Sequence, residues 1–211
     1  SGQGFDGHVT TWYDQGGTNH ATQTLVSNMP KLVDGGTLVT ESGLPALDFD
    51  GVDDFMETNG YIVELSQNPA SVFAVATPDI ASSSYLLTEG DVVSPYSSNF
   101  ILNGAGSVNG AGVWVNTTVF GSPIAANSQA LTGFIYDGTN FQAYLDGATN
   151  GSSGGATVNP ETSTNTYIGA SADATTGFFN GGISEIVTFK NDQSANRTGI
   201  ENNINDTYTI Y

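Results

Sequence analysis

The stretch of sequence that decides the fold is Leu44-Pro-Ala-Leu-Asp-Phe-Asp-Gly-Val-Asp-Asp-Phe-Met-Glu-Thr58. In its first half, large apolar residues alternate with small or polar ones. Leu47 and Phe49 therefore share one face of an extended chain, and the small or polar residues share the other. Residues 50–54 have the composition of a turn, and a strand pattern resumes at Phe55. An alternating strand, a tight turn and a second strand together predict half-buried antiparallel β-structure.

Similar patterns recur along the rest of the chain. Residues 71–77 are nearly all apolar, which is typical of a central strand covered on both faces. Asp137-Gly138 stands between two strand-like segments and is a strong hairpin signal, with a loop of two to four residues. Further strands are predicted at 9–13, 85–88, 99–103, 112–119, 131–136, 141–145, 166–169 and 182–189. The Gly- and Ser-rich residues 148–156 are predicted to form a surface loop.

Only the end of the chain has a helical pattern. Ile200, Ile204 and Tyr208 recur every four residues and Ser194 is a suitable N-cap, so the sequence predicts a short helix near 194–206. About ten to thirteen short strands and one helix predict an all-β fold, a two-sheet antiparallel β-sandwich or jelly roll. The residues that we expect to be mostly buried in it are Phe49, Val72, Phe134, Leu145 and Ile186.

The net charge is the most unusual bulk property of the sequence. Twenty-one Asp and Glu residues oppose only Lys31, Lys190 and Arg197, which gives a formal net charge of −18. Proteins that bind nucleic acids or anionic membranes need a basic surface, so the charge disfavours both kinds of partner. So acidic a surface suits saline or divalent-rich surroundings, although solubility alone also accounts for it.

Length and composition suggest a single domain. The 211 residues suit a single domain, in which 1–43 are an opening segment, 44–190 the sandwich core and 191–211 the helix and tail. There is no cysteine for a disulfide, a thiolate zinc site or a nucleophile. No apolar run approaches the ~20 residues of a membrane span. The abrupt start without a signal peptide is typical of a domain excised from a larger multidomain or multimeric assembly.

Three segments of the sequence together resemble one family. Val9-Thr-Thr-Trp-Tyr-Asp-Gln15 with Asn19-His-Ala-Thr-Gln23, Leu44 to Phe55, and Phe179 to Phe189 are similar to the first, second and closing parts of laminin G-like domains in bacterial surface and phage virion proteins. The resemblance implies a concanavalin A-like jelly roll with ligand sites on the concave face or the rim loops. It also implies a location on a cell surface or a virion, with a carbohydrate as partner. Because this fold hosts lectins, hydrolases and structural modules, the resemblance leaves the activity open.

One candidate carbohydrate site lies in the middle of the chain. Trp114 alternates with Val113 and Val115, so it faces away from them, on the same side as Asn116. An aromatic ring beside an amide can bind a sugar, because C–H groups stack on the ring while the amide reads hydroxyls. Tyr96 could add a contact at the rim. Alternatively, Trp114 covers its neighbours in a second hydrophobic layer.

Acidic clusters suggest calcium as a candidate cofactor. Asp50, Asp53 and Asp54 bring three carboxylates within five residues, and calcium takes six to eight oxygen ligands. An ordinary polar turn is the alternative explanation. The loop after Ile168-Gly169 resembles the calcium-binding loop of pentraxins, which makes Asp173 a candidate rim ligand. Ser171 stands where that resemblance implies a Glu.

Near the start of the chain, Trp12 and Asp14 are expected to be structural, and His20 could touch a ligand. Trp12 lies among strand residues and is expected in the core. Asp14 begins a Gly-rich turn, where an Asp usually accepts hydrogen bonds from nearby backbone N–H groups. His20 has no partner histidine or cysteine in the sequence with which to bind a metal.

The sequence contains no recognisable catalytic motif. Glycosidases of this architecture use paired carboxylates on one strand, whereas Glu185 and Glu201 stand alone in their segments. We therefore expect a non-catalytic glycan-recognition module. One alternative is a purely structural or decorating module of the same fold. The other is a glycosidase fragment, because the opening segment also resembles the catalytic domain of an arabinofuranosidase family, whose carboxylates have no match here.

Overall fold

The structure is a computed structural model that describes residues 4–64, 69–80, 84–89, 103–104, 112–115, 117–153 and 165–211. Within these ranges the chain forms twenty short β-strands, one 3₁₀ turn and one C-terminal α-helix. All strand pairings among them are antiparallel. The predicted all-β fold with a single helix at its end is confirmed. No helix in the described part of the chain has the length and apolar character that a bilayer crossing requires.

The larger sheet contains nine strands from the described residues. They are β1 (Gly7–His8), β4 (Lys31–Asp34), β5 (Thr37–Leu38), β8 (Leu47–Asp50), β10 (Ala70–Pro78), β16 (Ala130–Tyr136), β17 (Phe141–Leu145), β18 (Ala148–Ser153) and β20 (Asn180–Phe189). Their order across the sheet is β1-β4-β8-β20-β10-β16-β17-β18, and β5 pairs with β4. The late strand β20 therefore lies at the centre of this sheet, between the earlier strands β8 and β10.

The smaller sheet is formed by five described strands. They are β2 (Thr11–Trp12), β3 (Ala21–Thr22), β9 (Met56–Thr58), β12 (Leu87–Glu89) and β19 (Thr166–Ile168), in the order β12-β19-β9-β3-β2. Three further strand pairs are β6 (Thr40–Glu41) with β7 (Leu44–Pro45), β11 (Ser84–Tyr85) with β13 (Asn103–Gly104), and β14 (Gly112–Val115) with β15 (Thr117–Phe120). The 3₁₀ turn is Val26–Asn28 and the helix, α1, is Arg197–Tyr208.

The main core lies between the two sheets. Phe49, Val72 and Phe134 of the larger sheet pack with Met56 and Ile168 of the smaller sheet in one buried cluster. The predicted burial of Phe49, Val72 and Phe134 is confirmed. The other two predicted core residues are only partly buried. Leu145 packs against a small marginal cluster and Ile186 packs against the edge of the main one.

The helix covers the opposite face of the larger sheet. Ile204 of α1 is buried against Phe73 and Val75 of β10, with Ile200 and Tyr208 packed beside them. Because one face of β10 meets the smaller sheet and the other meets the helix, all nine of its residues are buried. This explains the continuous apolar run that predicted a central strand.

The hairpin predicted at Asp137-Gly138 is present. β16 and β17 pair from Thr132–Leu145 to Tyr136–Phe141, so the loop has four residues. The Asp137 carboxylate accepts hydrogen bonds from the backbone N–H groups of Thr139 and Asn140, at 2.8 and 2.7 Å. The side chain that starts the turn thus also holds it in place.

One loop prediction and one strand prediction from the sequence were wrong. The region expected to be a surface loop contains β18, because pairing with β17 and hydrogen bonds between Asn150 and Ser122 outweigh its Gly- and Ser-rich composition. The single strand expected over 112–119 is instead the antiparallel pair of β14 and β15, in which Trp114 is opposite Thr118.

The helix begins later than predicted, at Arg197, with Asn196 in the N-cap position. Ser194 is not the cap, because both its backbone N–H and its hydroxyl donate to the carboxylate of Asp192, at 2.8 and 2.5 Å. A turn that precedes the helix therefore uses the side chain expected to cap it.

Candidate functional site

A groove of about 790 Å³ runs beside the second half of β20. β8 pairs with β20 only from Asn180 to Ile183, so residues 184–189 have a described strand neighbour on one side only, β10. A bulge at Ser184 interrupts the pairing with β10. Bulges of this kind redirect side chains next to functional sites. The open edge of β20 forms one wall of what we call the β20 groove.

The opposite wall comes from the start of the chain. The chain passes from β1 in the larger sheet to β2 in the smaller sheet, and the loop after β2 lines the groove. Asp14 organises this loop, because its carboxylate accepts N–H groups from Gly16 at 2.8 Å and Asn19 at 3.2 Å. A Cβ on Gly17 would lie 2.8 Å from the same carboxylate, so a larger residue there would have to displace the Asp14 side chain. The structural role predicted for Asp14 accounts for both of its oxygens.

Aromatic side chains from distant segments meet in this groove. Trp12 packs against the main core, as expected, but it is only partly buried and its remaining surface lines the groove. Tyr13 is 62% exposed and lies edge-on to His20, with ring centroids 5.0 Å apart. His20 accepts the N–H of Asp14 at 3.1 Å, so its ring supports the loop. Tyr208 of α1 adds a third aromatic side chain to the lining.

Two polar side chains on β20 have no protein partner among the described residues. The Ser184 hydroxyl is buried without a hydrogen bond, at the bulge that lines the groove. Glu185 forms no ion pair or hydrogen bond with any residue that the structure describes, and burial raises the pKa of its carboxyl. Lys190, by contrast, pairs with Glu64 at a Nζ–Oε1 distance of 3.1 Å. The Ser184 hydroxyl is closed to solvent, so Glu185 is the unpaired group that a ligand in the groove can reach.

A buried carboxylate holds the next part of the groove wall. Glu89 is fully buried and accepts the N–H groups of Ile62, Val63 and Glu64, at 2.8, 2.8 and 3.0 Å, as well as the hydroxyl of Thr166. Burial raises its pKa, and these hydrogen bonds oppose the rise. In the segment that Glu89 holds, Ile62 lines the groove and Glu64 forms the ion pair with Lys190. An acidic residue directly after an apolar strand was the only signal of this anchor in the sequence.

The carbohydrate site predicted in the middle of the chain falls largely outside the described residues. Trp114 lies in β14, whereas Asn116 and Tyr96 lie outside the described residues. A role for these three residues in binding stays a prediction. The residues that do meet in the β20 groove were not predicted, because Trp12 and Asp14 were assigned only structural roles and Glu185 stood alone in the sequence.

The three carboxylates of the first predicted metal site do lie together. Oxygen atoms of Asp50, Asp53 and Asp54 are within 4.8 Å of one another. The turn uses some of them itself, because Asp50 Oδ1 accepts three backbone N–H groups, from Val52 at 2.8 Å, Asp53 at 3.2 Å and Asp54 at 3.4 Å. Asp54 Oδ2 in turn accepts the N–H of Asp50 at 3.0 Å. Burial raises the pKa of Asp54 to about 6. The polar-turn explanation accounts for these contacts, and a calcium ion at this turn stays a proposal.

Asp173 does not join that cluster among the described residues. It is exposed, and its Oδ1 accepts the Ser171 hydroxyl at 2.6 Å and the Thr175 N–H at 3.2 Å. Ser171 also accepts the N–H of Thr176 at 3.1 Å. Ser171, at the position where a pentraxin-like site implies a Glu, therefore serves to close its own loop.

Comparison with known proteins supports the fold. No protein-family model matches the sequence, and no curated protein matches it. Among solved structures, the chain is similar to Trypanosoma rangeli sialidase in complex with sialic acid, with a TM-score of 0.54, 13% identity, and coverage of 90% of this chain and 30% of that one. It is also similar to domain 4 of AbnA, an extracellular arabinanase from Geobacillus stearothermophilus, in complex with arabinotriose. Here the TM-score is 0.52 at 13% identity, with coverage of 89% and 82%.

These comparisons concern the shape of the chain rather than its chemistry. The chain spans less than a third of the length of the sialidase, so only a part of that protein is similar to it. At identities this low the likeness shows the fold alone. That fold is an antiparallel β-sandwich.

Proposed function

We propose that this domain is a non-catalytic carbohydrate-binding module of the laminin G-like type, and that the β20 groove is its binding site. The observation that carries the proposal is the meeting of aromatic rings and an unpaired carboxylate along the part of β20 that has a described strand neighbour on one side only. A volume of about 790 Å³ is in the range of small-ligand sites. The fold alone would not assign this function.

The chemistry of the groove suits a saccharide. Trp12 and Tyr13 offer ring faces on which the C–H groups of a sugar can stack. Glu185 offers a hydrogen-bonding carboxylate that no described residue uses. The exposed amide of Gln15 stands at the rim, where it can donate to and accept from hydroxyl groups. Stacking supplies affinity, and the polar groups select the orientation of the ring.

The similar structures are consistent with this proposal. The arabinanase domain that resembles this chain over most of its length was solved with arabinotriose, and the sialidase with sialic acid. A carbohydrate is therefore the ligand class to test first. The resemblance to laminin G-like domains of surface and virion proteins supports an extracellular setting within a larger assembly, which we propose on that ground.

The absence of catalysis is part of the proposal. A glycosidase of this architecture needs two carboxylates that flank the scissile bond. The groove is lined by Asp14 and Glu185, and Asp14 already accepts two backbone N–H groups with its two oxygens. This leaves Glu185 as the free carboxylate of the described lining. Incubation with polysaccharides should release no reducing sugar, and release that one Asp or Glu substitution abolishes would overturn this part.

The binding test compares two exposed aromatic residues. Tyr13→Ala should weaken glycan binding about tenfold or more, because it removes a ring from the groove. Phe5→Ala is the matched control, because Phe5 is 86% exposed and does not line the groove. Binding is first sought on a glycan array and with arabinotriose, and then measured by titration calorimetry. If no glycan binds, the proposal fails and the structural-module alternative stands.

A second pair of variants locates the site. The chain has two tryptophans, Trp12 in the groove and Trp114 in β14. Loss of binding in Trp12→Phe but not in Trp114→Phe supports the β20 groove. The reverse result would move the site to the region of Trp114, Asn116 and Tyr96.

A further inference from the structure

We infer that the β20 groove takes uncharged saccharides and rejects anionic ones such as sialylated or uronic-acid glycans. This inference rests on the proposed function and narrows its ligand class. It follows from the state of every basic side chain in the molecule and from the charges that line the groove.

All three basic side chains of the chain are already engaged. Lys31 pairs with Asp6 at 3.0 Å and with Asp34 at 2.9 Å. Arg197 pairs with the buried Glu201, donates to the carbonyl of Gly147 at 3.1 Å and lies over the ring of Tyr144. Neither of these two cations lines the groove.

Lys190 is the one basic side chain in the described groove lining, and it is paired with Glu64. Glu64 is held in place in turn, because its backbone N–H donates to the buried Glu89. A ligand carboxylate would have to compete with Glu64 for this ammonium group. Carboxylates are usually recognised by a bidentate arginine, and the sequence has a single arginine, Arg197, which does not line the groove.

Neither histidine belongs to the described lining of the groove. His20 Nδ1 accepts the N–H of Asp14, and the ring supports the loop behind Tyr13. His8 makes a hydrogen bond to the carbonyl of Met29, at 3.0 Å, and does not line the groove.

The acidic groups of the groove disfavour the binding of an anionic ligand. Asp14 and Glu185 line it, and Glu185 has no cation beside it among the described residues. A neutral sugar hydroxyl can donate a hydrogen bond to the Glu185 carboxylate. A carboxylate on the ligand has no proton to donate and is repelled, and this repulsion is strengthened by partial burial. The net charge of −18 adds a long-range barrier to the approach of any anion.

The test uses paired glycans on the wild-type protein. A glycan array carries neutral oligosaccharides beside their sialylated or uronic-acid counterparts, and each pair that binds is then titrated at 0.15 M salt, a concentration chosen because it screens charges beyond about 8 Å. Neutral members should bind about tenfold or more tightly than their acidic counterparts. Acidic members that bind equally well or better would overturn the inference but leave the proposed function intact. Binding of no glycan at all would overturn both.

Two variants assign the selectivity to the groove. Glu185→Gln keeps the shape of the side chain and removes its charge. The ratio of the affinities for the neutral and the acidic glycan of a pair should therefore fall about threefold or more. Glu41→Gln is the matched control, because Glu41 is also a partly buried carboxylate whose pKa is raised by burial, and it does not line the groove. An equal fall of this ratio in both variants would overturn the role of Glu185. Circular dichroism of each variant checks that the fold is kept.

Discussion

The guanidinium carbon of Arg197 lies 4.4 Å from the centroid of the Tyr144 ring, and the same guanidinium pairs with Glu201 one helical turn later. Glu201 is 3% exposed, so its charge is compensated almost entirely by this one partner. The contact links the first turn of α1 to β17 of the larger sheet. Arg197 thereby fastens the helix that covers one face of β10.

Replacement of this cation should cost far more stability than replacement of a surface cation. We expect Arg197→Met to lower the free energy of unfolding by about 2–3 kcal/mol, because it leaves Glu201 buried without its partner. Lys190→Met removes the same charge from an exposed pair with Glu64 and should cost less than about 1 kcal/mol. Urea denaturation of the two variants measures the difference. Equal losses would show that net charge, rather than burial, sets the effect.

Glu89→Gln tests the buried anchor below the groove wall. Every partner of the Glu89 carboxylate is a donor, namely three backbone N–H groups and the Thr166 hydroxyl. The NH₂ group of a glutamine would face one of these donors, so we expect a loss of about 2 kcal/mol. Thermal and urea denaturation measure it, with Glu41→Gln as the control at a carboxylate outside the core. An unchanged stability would contradict the role of Glu89 as an anchor.

Asp54 should make stability depend on pH. Its folded pKa of about 6 is above the ordinary value of 3.8, so the folded protein holds a proton that the unfolded chain releases between these two values. Stability from this group is therefore present below about pH 4 and is lost as the pH rises to about 6. Asp54→Asn should remove this loss and stabilise the protein by about 1 kcal/mol at pH 7.

The matched control for that pH profile is Asp53→Asn, which removes one charge from the same turn. Denaturation of both variants is followed from pH 3.5 to 7.5. A slope between pH 4 and 6 that persists in Asp54→Asn would contradict the assignment.

Calcium should stabilise the protein more than magnesium does at equal ionic strength. The Asp50, Asp53 and Asp54 carboxylates lie close enough to share an ion, and calcium tolerates irregular oxygen cages better than magnesium. At a hundredfold excess over Kd, a bound ion would add ~2.7 kcal/mol, whereas screening acts alike for both ions. Asp53→Asn should abolish the calcium-specific rise in Tm without loss of the turn, since Asp50 and Asp54 accept its hydrogen bonds. Superimposable melting curves in the two ions would contradict the calcium site. The acidity would then be a general property of the surface.

The sequence by itself determined the class of fold and much of its core. The alternation at Leu47 and Phe49, the apolar run of β10 and the Asp137-Gly138 hairpin depend on neighbouring residues, so they can be read without a structure. β18 could not be found in this way. Its Gly- and Ser-rich residues become a strand only because β17 offers a pairing edge and Asn150 bonds to Ser122.

The candidate site was decided by the tertiary structure alone. Trp12 and Glu185 lie near opposite ends of the chain, and they share a groove because β8 stops pairing with β20 at Ile183. Where one strand stops pairing with another depends on register across the whole sheet, and no local pattern carries that information. The net charge of −18 was plain in the sequence. Only the folded chain pairs each of its three cations with a carboxylate and leaves Glu185 without one.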